Sequence, residues 1–115
     1  VFGVPLDPHI DATAIALIAF RAAGHEPDPI VTRALDQLLA RTKECPSAES
    51  LAWTVLALHA WKRHGAIFHE LRDRGEQLRR LMGEPRQIAN NSTLALGAIT
   101  IDALQNDHNP FEVQA

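Results

Sequence analysis

Residues 50–61 read SLAWTVLALHAW, and the chain repeats this apolar pattern twice more. A shift of 38 positions toward the N-terminus aligns residues 14–20, AIALIAF, with residues 52–58. A shift of 41 positions toward the C-terminus aligns residues 93–99, TLALGAI, with residues 52–58 as well. A period of about 40 residues is typical of helical hairpins in repeat proteins. The sequence therefore predicts helix–turn–helix units with similar helices side by side.

The composition favours one all-α domain covering residues 1–115. The chain has four Phe, two Trp and no Tyr, whereas Ala and Leu are abundant, and this balance suits packed helices better than a β-sandwich. Its net charge is −3, so there is no positive field to attract nucleic acid. We therefore expect no nucleic-acid partner.

Cys45 is the one cysteine, so no internal disulfide can form and redox chemistry gives no localisation. We expect it to be an unreactive loop residue. The longest apolar runs, such as residues 12–20, are shorter than the ~20 residues of a membrane span, so no span is expected. Because the chain begins at Val1 rather than Met, we expect it to be a piece of a longer or processed protein.

Turn signals divide the chain into five predicted helices: 9–23, 29–42, 48–63, 66–82 and 91–104. Asp28 is followed by proline, which predicts an N-cap and a first helical turn, and Ser47 or Ser50 is the predicted cap of the third helix. Gly75 lies inside the fourth predicted helix, which indicates a close helix contact or a break. No sixth helix is visible.

The predicted helices fall into two layers. The first, third and fifth are apolar on all sides and are expected to be interior, whereas the second and fourth are amphipathic and are expected to be outside. The outer helices repeat as well, since Asp36-Gln37-Leu38 aligns with Glu76-Gln77-Leu78. The predicted fold is a two-layer array of α/α hairpins, with repeats at about 9–45, 47–84 and 90–105.

Residues 11–24, DATAIALIAFRAAG, followed by residues 33–39, RALDQLL, resemble a repeat of the terpenoid cyclase and protein prenyltransferase α/α toroids. Residues 50–58 resemble the inner helix of the next unit, and the likeness spans about residues 11–104. The resemblance implies a partial α/α toroid, in which a ring of inner helices lies inside a ring of outer ones.

The catalytic motifs of that family do not carry over. The Asp-x-Asp-Asp acid of the squalene-type cyclases is absent, and Cys45 follows Lys43 and Glu44 rather than the Asp-x-Cys of the zinc-binding prenyltransferases. The glutamine-tryptophan signature of the cyclases is missing too. The resemblance therefore implies a fold without its known activities, and no cofactor is expected.

Histidines 59, 64 and 69, with Glu70, invite a metal interpretation. Residues five apart lie about 140° apart around a helix, whereas ligand pairs on one face are three or four residues apart. We expect no metal. Asp102 is the only acid well inside an inner helix, and a lone carboxylate does not define an acid catalyst.

The repeat alignment places Arg21, His59 and Thr100 at equivalent positions of the three inner helices. These side chains could form a polar rim on a concave surface. The simpler interpretation, which we favour, is that each helix becomes polar where it emerges.

Trp53 aligns with Ile15 and Leu94 and is expected to fill core volume. Trp61 aligns with Asp102 and is expected nearer the surface. Together with Ile99 and Ile101, the two tryptophans are candidates for a hydrophobic surface, and aromatic side chains there would suit an isoprenoid or another apolar small molecule.

The fifth helix lacks the polar face that normally caps an array of repeats. We expect it to be covered by the remainder of a longer chain, by residues 1–6, by the tail with Phe111, or by a second copy, and we predict a dimer through this helix or its neighbour. The preferred function is a non-catalytic repeat domain for protein interaction or within a larger protein. The alternative is a segment of an isoprenoid-handling enzyme whose catalytic residues lie outside this chain.

Overall fold

The computed structural model describes residues 8–43, 47–62, 68–84 and 91–106. These ranges contain five α-helices and no strand: α1 (Pro8–Ala22), α2 (Pro29–Thr42), α3 (Ala48–Ala60), α4 (Phe68–Met82) and α5 (Asn91–Asn106). The all-α class is confirmed. The predicted helix limits agree with these to within about three residues.

Helix α3 is the centre of the molecule, since it contacts all four other helices. Helices α1 and α5 both pack against it, while α2 packs on α1 and α3, and α4 packs on α3 and α5. Every residue of α3 is buried except Glu49 and Trp53, which are half-buried. The prediction that this apolar helix is interior is therefore confirmed.

The turn between α1 and α2 has the geometry that its glycine and aspartate predict. Gly24 has a φ of +77°, and its N–H donates to Arg21 O at 3.0 Å while His25 N donates to Phe20 O at 2.9 Å. This pair of hydrogen bonds is a Schellman motif, in which glycine avoids the strain of the left-handed conformation. Asp28 Oδ1 accepts from Val31 N at 2.9 Å and caps α2, as predicted.

The prediction that α1 is an interior helix is wrong. Its inward side is buried through Ile10, Ala14, Leu17 and Ile18, but Ile15 is 45% exposed and Phe20 is 42% exposed. The physical reason is position: the main contacts of α1 are with α2 and α3, and these leave the side with Ile15 and Phe20 in solvent. An apolar helix with neighbours on one side keeps an apolar face in solvent.

Helix α5 presents a different face to α3 from the one that the repeat alignment implies. The aligned residues of α3 are all buried: Thr54, Ala57, Leu58 and Trp61. Their counterparts in α5 are all exposed: Ala95, Ala98, Ile99 and Asp102. The repeat in sequence is therefore not matched by equal packing in the third unit.

Two glycines let α4 and α5 approach closely. A Cβ atom at Gly75 would lie 2.9 Å from Leu104 Cδ1, and one at Gly97 would lie 2.5 Å from Met82 Sδ. The pairs run in opposite directions along the two helices, so α4 and α5 are antiparallel. Helix α4 continues through Gly75 without a break. The close-contact interpretation of this glycine is therefore the correct one.

Candidate functional site

The most distinctive surface of the described chain is an uncharged strip on α1. We call it the α1 apolar face and define it by Ala12, Ile15, Ala16, Ala19, Phe20 and Ala23. All of these residues are exposed except Ala16, which is half-buried. The two charged residues of α1, Asp11 and Arg21, are half-buried and lie away from the centre of this strip.

The spacing of this face is that of a helix-packing seam. Ala12, Ala16, Ala19 and Ala23 follow one another at intervals of four, three and four residues, with Ile15 beside them. Side chains three and four residues apart lie on one side of a helix. The small residues let a second backbone approach closely, while Ile15 and Phe20 supply bulk.

The aligned surface of α3 is buried, and α1 packs against part of it. The aligned residues Ala57, Leu58 and Trp61 have no exposed area, and Trp61 Nε1 donates to the Leu17 carbonyl oxygen of α1 at 2.8 Å. The α1 apolar face is thus the counterpart of a surface that is already used for helix packing within the same molecule.

A polar cluster lies at the C-terminal end of the α1 apolar face. The rings of Phe20 and His25 stack with centroids 5.2 Å apart, and His25 Nε2 lies 2.8 Å from Asp28 Oδ2. The hydrogen bond from Val31 N, followed by the one to His25, holds the pKa of Asp28 below its ordinary value. A charged Asp28 therefore supports both the N-cap of α2 and the turn next to Phe20.

A buried arginine ties the two outer helices together. Arg74 of α4 is 8% exposed; its Nε donates to Thr42 Oγ1 at 2.9 Å and its Nη2 donates to Leu39 O at 2.6 Å. Gln77 Nε2 donates to Thr42 O at 3.3 Å, so two side chains of α4 bind the C-terminal end of α2. A cation at this end of a helix is favoured by unpaired carbonyls and by the helix dipole.

The amphipathic pattern of α4 predicts that its polar residues, Arg74 among them, lie on the outward face, whereas Arg74 is buried. The signal was present in the spacing: Arg74 lies three residues after Leu71 and four before Leu78, both of which are buried. An arginine in register with an apolar stripe indicates a buried hydrogen-bonding role.

Two residues of the predicted polar rim are buried, and the third is half-buried. His59 is 2% exposed and Thr100 is fully buried, while Arg21 is half-buried with a buried Nε atom that has no hydrogen-bond partner. Thr100 Oγ1 donates to Leu96 O at 2.7 Å, and His59 Nε2 lies 2.9 Å from Lys62 Nζ. Both contacts are local in sequence and do not link the three side chains into a rim.

The predicted hydrophobic surface is only partly exposed. Trp61 is fully buried, so the prediction that it lies near the surface is wrong. The prediction came from its alignment with Asp102, which is exposed because α3 and α5 pack differently. Trp53 and Ile101 are half-buried, and Ile99 is 43% exposed. The larger exposed strip lies on α1.

The described residues offer little to a metal or an acid–base reaction. They contain no cluster of three His, Cys, Asp or Glu side chains that could hold a metal ion. His59 is on α3 and His69 is on α4, while His64 and Cys45 lie outside the described residues. Asp102 is exposed and accepts from Asn106 Nδ2 at 2.7 Å.

Two cavities can be outlined from described residues. A shallow groove of about 570 Å³ lies at the start of α2 and is lined by Pro27, Asp28, Pro29, Thr32, Arg33 and Asp36. A smaller one of about 140 Å³ lies between α4 and α5 and is lined by Leu71, Arg72, Gly75, Glu76, Arg79 and Leu104. Neither is an apolar chamber.

In the described part of the chain, none of the helices is both long and apolar enough to cross a bilayer. Comparison with known proteins gives no match to a protein-family model, to a curated protein or to a solved structure.

Proposed function

We propose that this chain is a non-catalytic α/α repeat domain, related in architecture to a segment of an α/α toroid, that works by packing the α1 apolar face against an apolar helix. That helix belongs to a protein partner, to a second copy or to the rest of a longer chain. The domain supplies a contact surface and carries out no reaction.

The observation that carries this proposal is the contrast between α1 and α3 at aligned positions. Ala19, Phe20 and Ala23 are exposed, whereas Ala57, Leu58 and Trp61 are buried, the last of them against α1. The residues of this uncharged strip lie on one side of a helix. Burying their apolar surface against a partner helix would stabilise the complex by roughly 25 cal/mol per Å². Helix α3 contacts both α1 and α5, and this supports an arrangement in layers with α3 between the other two.

The alternative function, a segment of an isoprenoid-handling enzyme, requires an apolar chamber for a long hydrocarbon. The groove at the start of α2 is lined mostly by polar and proline residues, and the α4–α5 cavity is small and flanked by two arginines. Neither of these two cavities supplies such a chamber.

A site-specific photo-crosslinking experiment tests the proposal. A photoreactive phenylalanine analogue would replace Ala19 on the α1 apolar face, and in a matched control it would replace Ala40, an exposed alanine of α2. We expect a discrete adduct from position 19 in an extract of the native cells, with the partner identified by mass spectrometry, and none from position 40.

The adduct should disappear when Ile15 is changed to Asp, because a charge in the strip opposes burial. Equal labelling from positions 19 and 40, or no discrete adduct from position 19, would contradict the proposal.

A further inference from the structure

We infer that the helix packed against the α1 apolar face is α1 of a second copy, in an antiparallel pair around a two-fold axis. This inference rests on the proposed function and names its partner. Three features of the face favour a second copy: its lack of charge, its pattern of small and large residues, and its difference from the exposed strip on α5.

The first feature is the absence of charge. A two-fold contact sets the same surface against itself, so any charge on the axis meets a like charge. None of the six residues that define the α1 apolar face is charged. The nearby charged residues, Asp11 and Arg21, are half-buried and lie outside the face. Self-association therefore buries no like charges.

The second feature is the alternation of small and large side chains. An antiparallel crossing centred on the turn that contains Leu17 places Ile15 of one copy opposite Ala19 of the other, and the symmetry repeats this contact. The α4–α5 pair inside the chain uses the same principle, since Leu104 packs on Gly75 and Met82 packs on Gly97. Such reciprocal contacts let two backbones approach closely.

The third feature is a difference between the α1 apolar face and the exposed apolar strip on α5. That strip includes Ala95, Ala98 and Ile99, but it also carries the exposed Asp102. A carboxylate within the strip makes burial costly unless it is paired. Of the two strips, α1 is the better surface for a contact with itself.

A single helix pair buries less than the roughly 1,600 Å² of a standard stable interface. The association should therefore be weak and depend on protein concentration. Its weight-average mass should rise with concentration from 12.7 kDa toward twice that value.

Sedimentation equilibrium of the purified chain, with three matched Ala→Glu variants, tests the inference. Ala19→Glu places a charge in the α1 apolar face, Ala98→Glu places one in the α5 strip, and Ala40→Glu places one on α2; all three alanines are exposed in helices. We expect Ala19→Glu to weaken dimerisation at least tenfold, while the other two stay within about twofold of wild type.

Disulfide trapping gives the geometry independently. In a Cys45→Ser background, Ala16→Cys lies near the proposed axis and should form a covalent dimer on mild oxidation, whereas Ala98→Cys should not. Trapping through position 98, or loss of the dimer in Ala98→Glu, would place the contact on α5 and overturn the inference.

A wild-type chain that remains monomeric to millimolar concentration would overturn it as well. If that monomer lost thermal stability on Ala19→Glu, another segment of the same chain would be the occupant. If it kept its stability and still gave the adduct with a different protein at position 19, the proposed function would survive and only the second-copy inference would fail.

Discussion

Helices α1 and α3 are alike in sequence and differ in surroundings. Both are apolar around most of their circumference, yet α3 contacts four helices and buries all but two of its residues, whereas α1 leaves Ile15 and Phe20 in solvent. The aligned pairs Phe20/Leu58 and Ala23/Trp61 show the contrast residue by residue. The apolar area of a helix sets how much stabilisation its burial can provide. Its position in the array sets how many neighbouring helices bury it.

The largest expected effect compares Leu58 with its counterpart Phe20. Leu58→Ala removes a fully buried side chain and leaves a cavity, so it should lower the free energy of unfolding by about 2–5 kcal/mol. Phe20→Ala, at a position 42% exposed, should cost only about 1 kcal/mol, mainly through its stacking with His25. Urea denaturation followed by circular dichroism measures both, and equal losses would contradict the contrast.

The next effect concerns the hydrogen bonds between α2 and α4, the two outer helices that pack on α3. Arg74→Met keeps the aliphatic stem but removes the hydrogen bonds that join α4 to Thr42 and Leu39 of α2. We expect a loss of about 1.5–3 kcal/mol, because buried carbonyl and hydroxyl groups lose a charged donor.

Arg80→Met is the matched control for that change, since Arg80 is exposed on the same helix. It should stay within about 0.5 kcal/mol of wild type. If the two variants have the same melting temperature, the contact between α2 and α4 does not help to enclose α3.

A smaller effect concerns the link between the two compared helices. Trp61→Phe removes the donor to Leu17 O and leaves space where the indole was. We expect a loss of about 1–3 kcal/mol, because the substitution ends a buried hydrogen bond. A loss below about 0.5 kcal/mol in chemical denaturation would mean that packing alone joins α1 to α3.

The smallest effect concerns Asp28, in the turn between α1 and α2. The hydrogen bonds of Asp28 lower its folded pKa, so its contribution to stability is present above its unfolded pKa and is lost as pH falls through the folded value. The melting temperature should therefore decline in acid. Asp28→Asn, which still caps α2 but does not titrate, should show a shallower decline, and identical pH profiles would refute the role of Asp28.

Local features were accessible from the sequence because they depend on neighbouring residues. Asp28 caps α2, Ser47 caps α3 through a 3.3 Å hydrogen bond from Ser50 N, and Gly75 marks a close contact. The interior position of α3 followed from its apolar circumference. The two caps depend on residues within a few positions of the chain, whereas a glycine inside a helix and an apolar circumference each indicate close neighbours from elsewhere in the chain.

Tertiary features were not accessible in the same way. Helix α1 is expected to be interior because it is apolar on all sides, and Trp61 is expected near the surface because it aligns with Asp102. Neither pattern indicates that Ile15 and Phe20 of α1, or Asp102 of α5, are exposed to solvent. The α1 apolar face became visible only once burial separated two helices that look alike in sequence.

The hydrogen bond between Trp61 and Leu17 also bears on how the chain folds. It joins residues 44 positions apart, whereas the capping bonds at Gly24 and Asp28 join residues no more than five apart. Closing the longer loop carries the larger entropic cost, which local pairs avoid. The fluorescence of Trp61, in a Trp53→Phe background, should therefore report on the docking of α1 against α3 during folding.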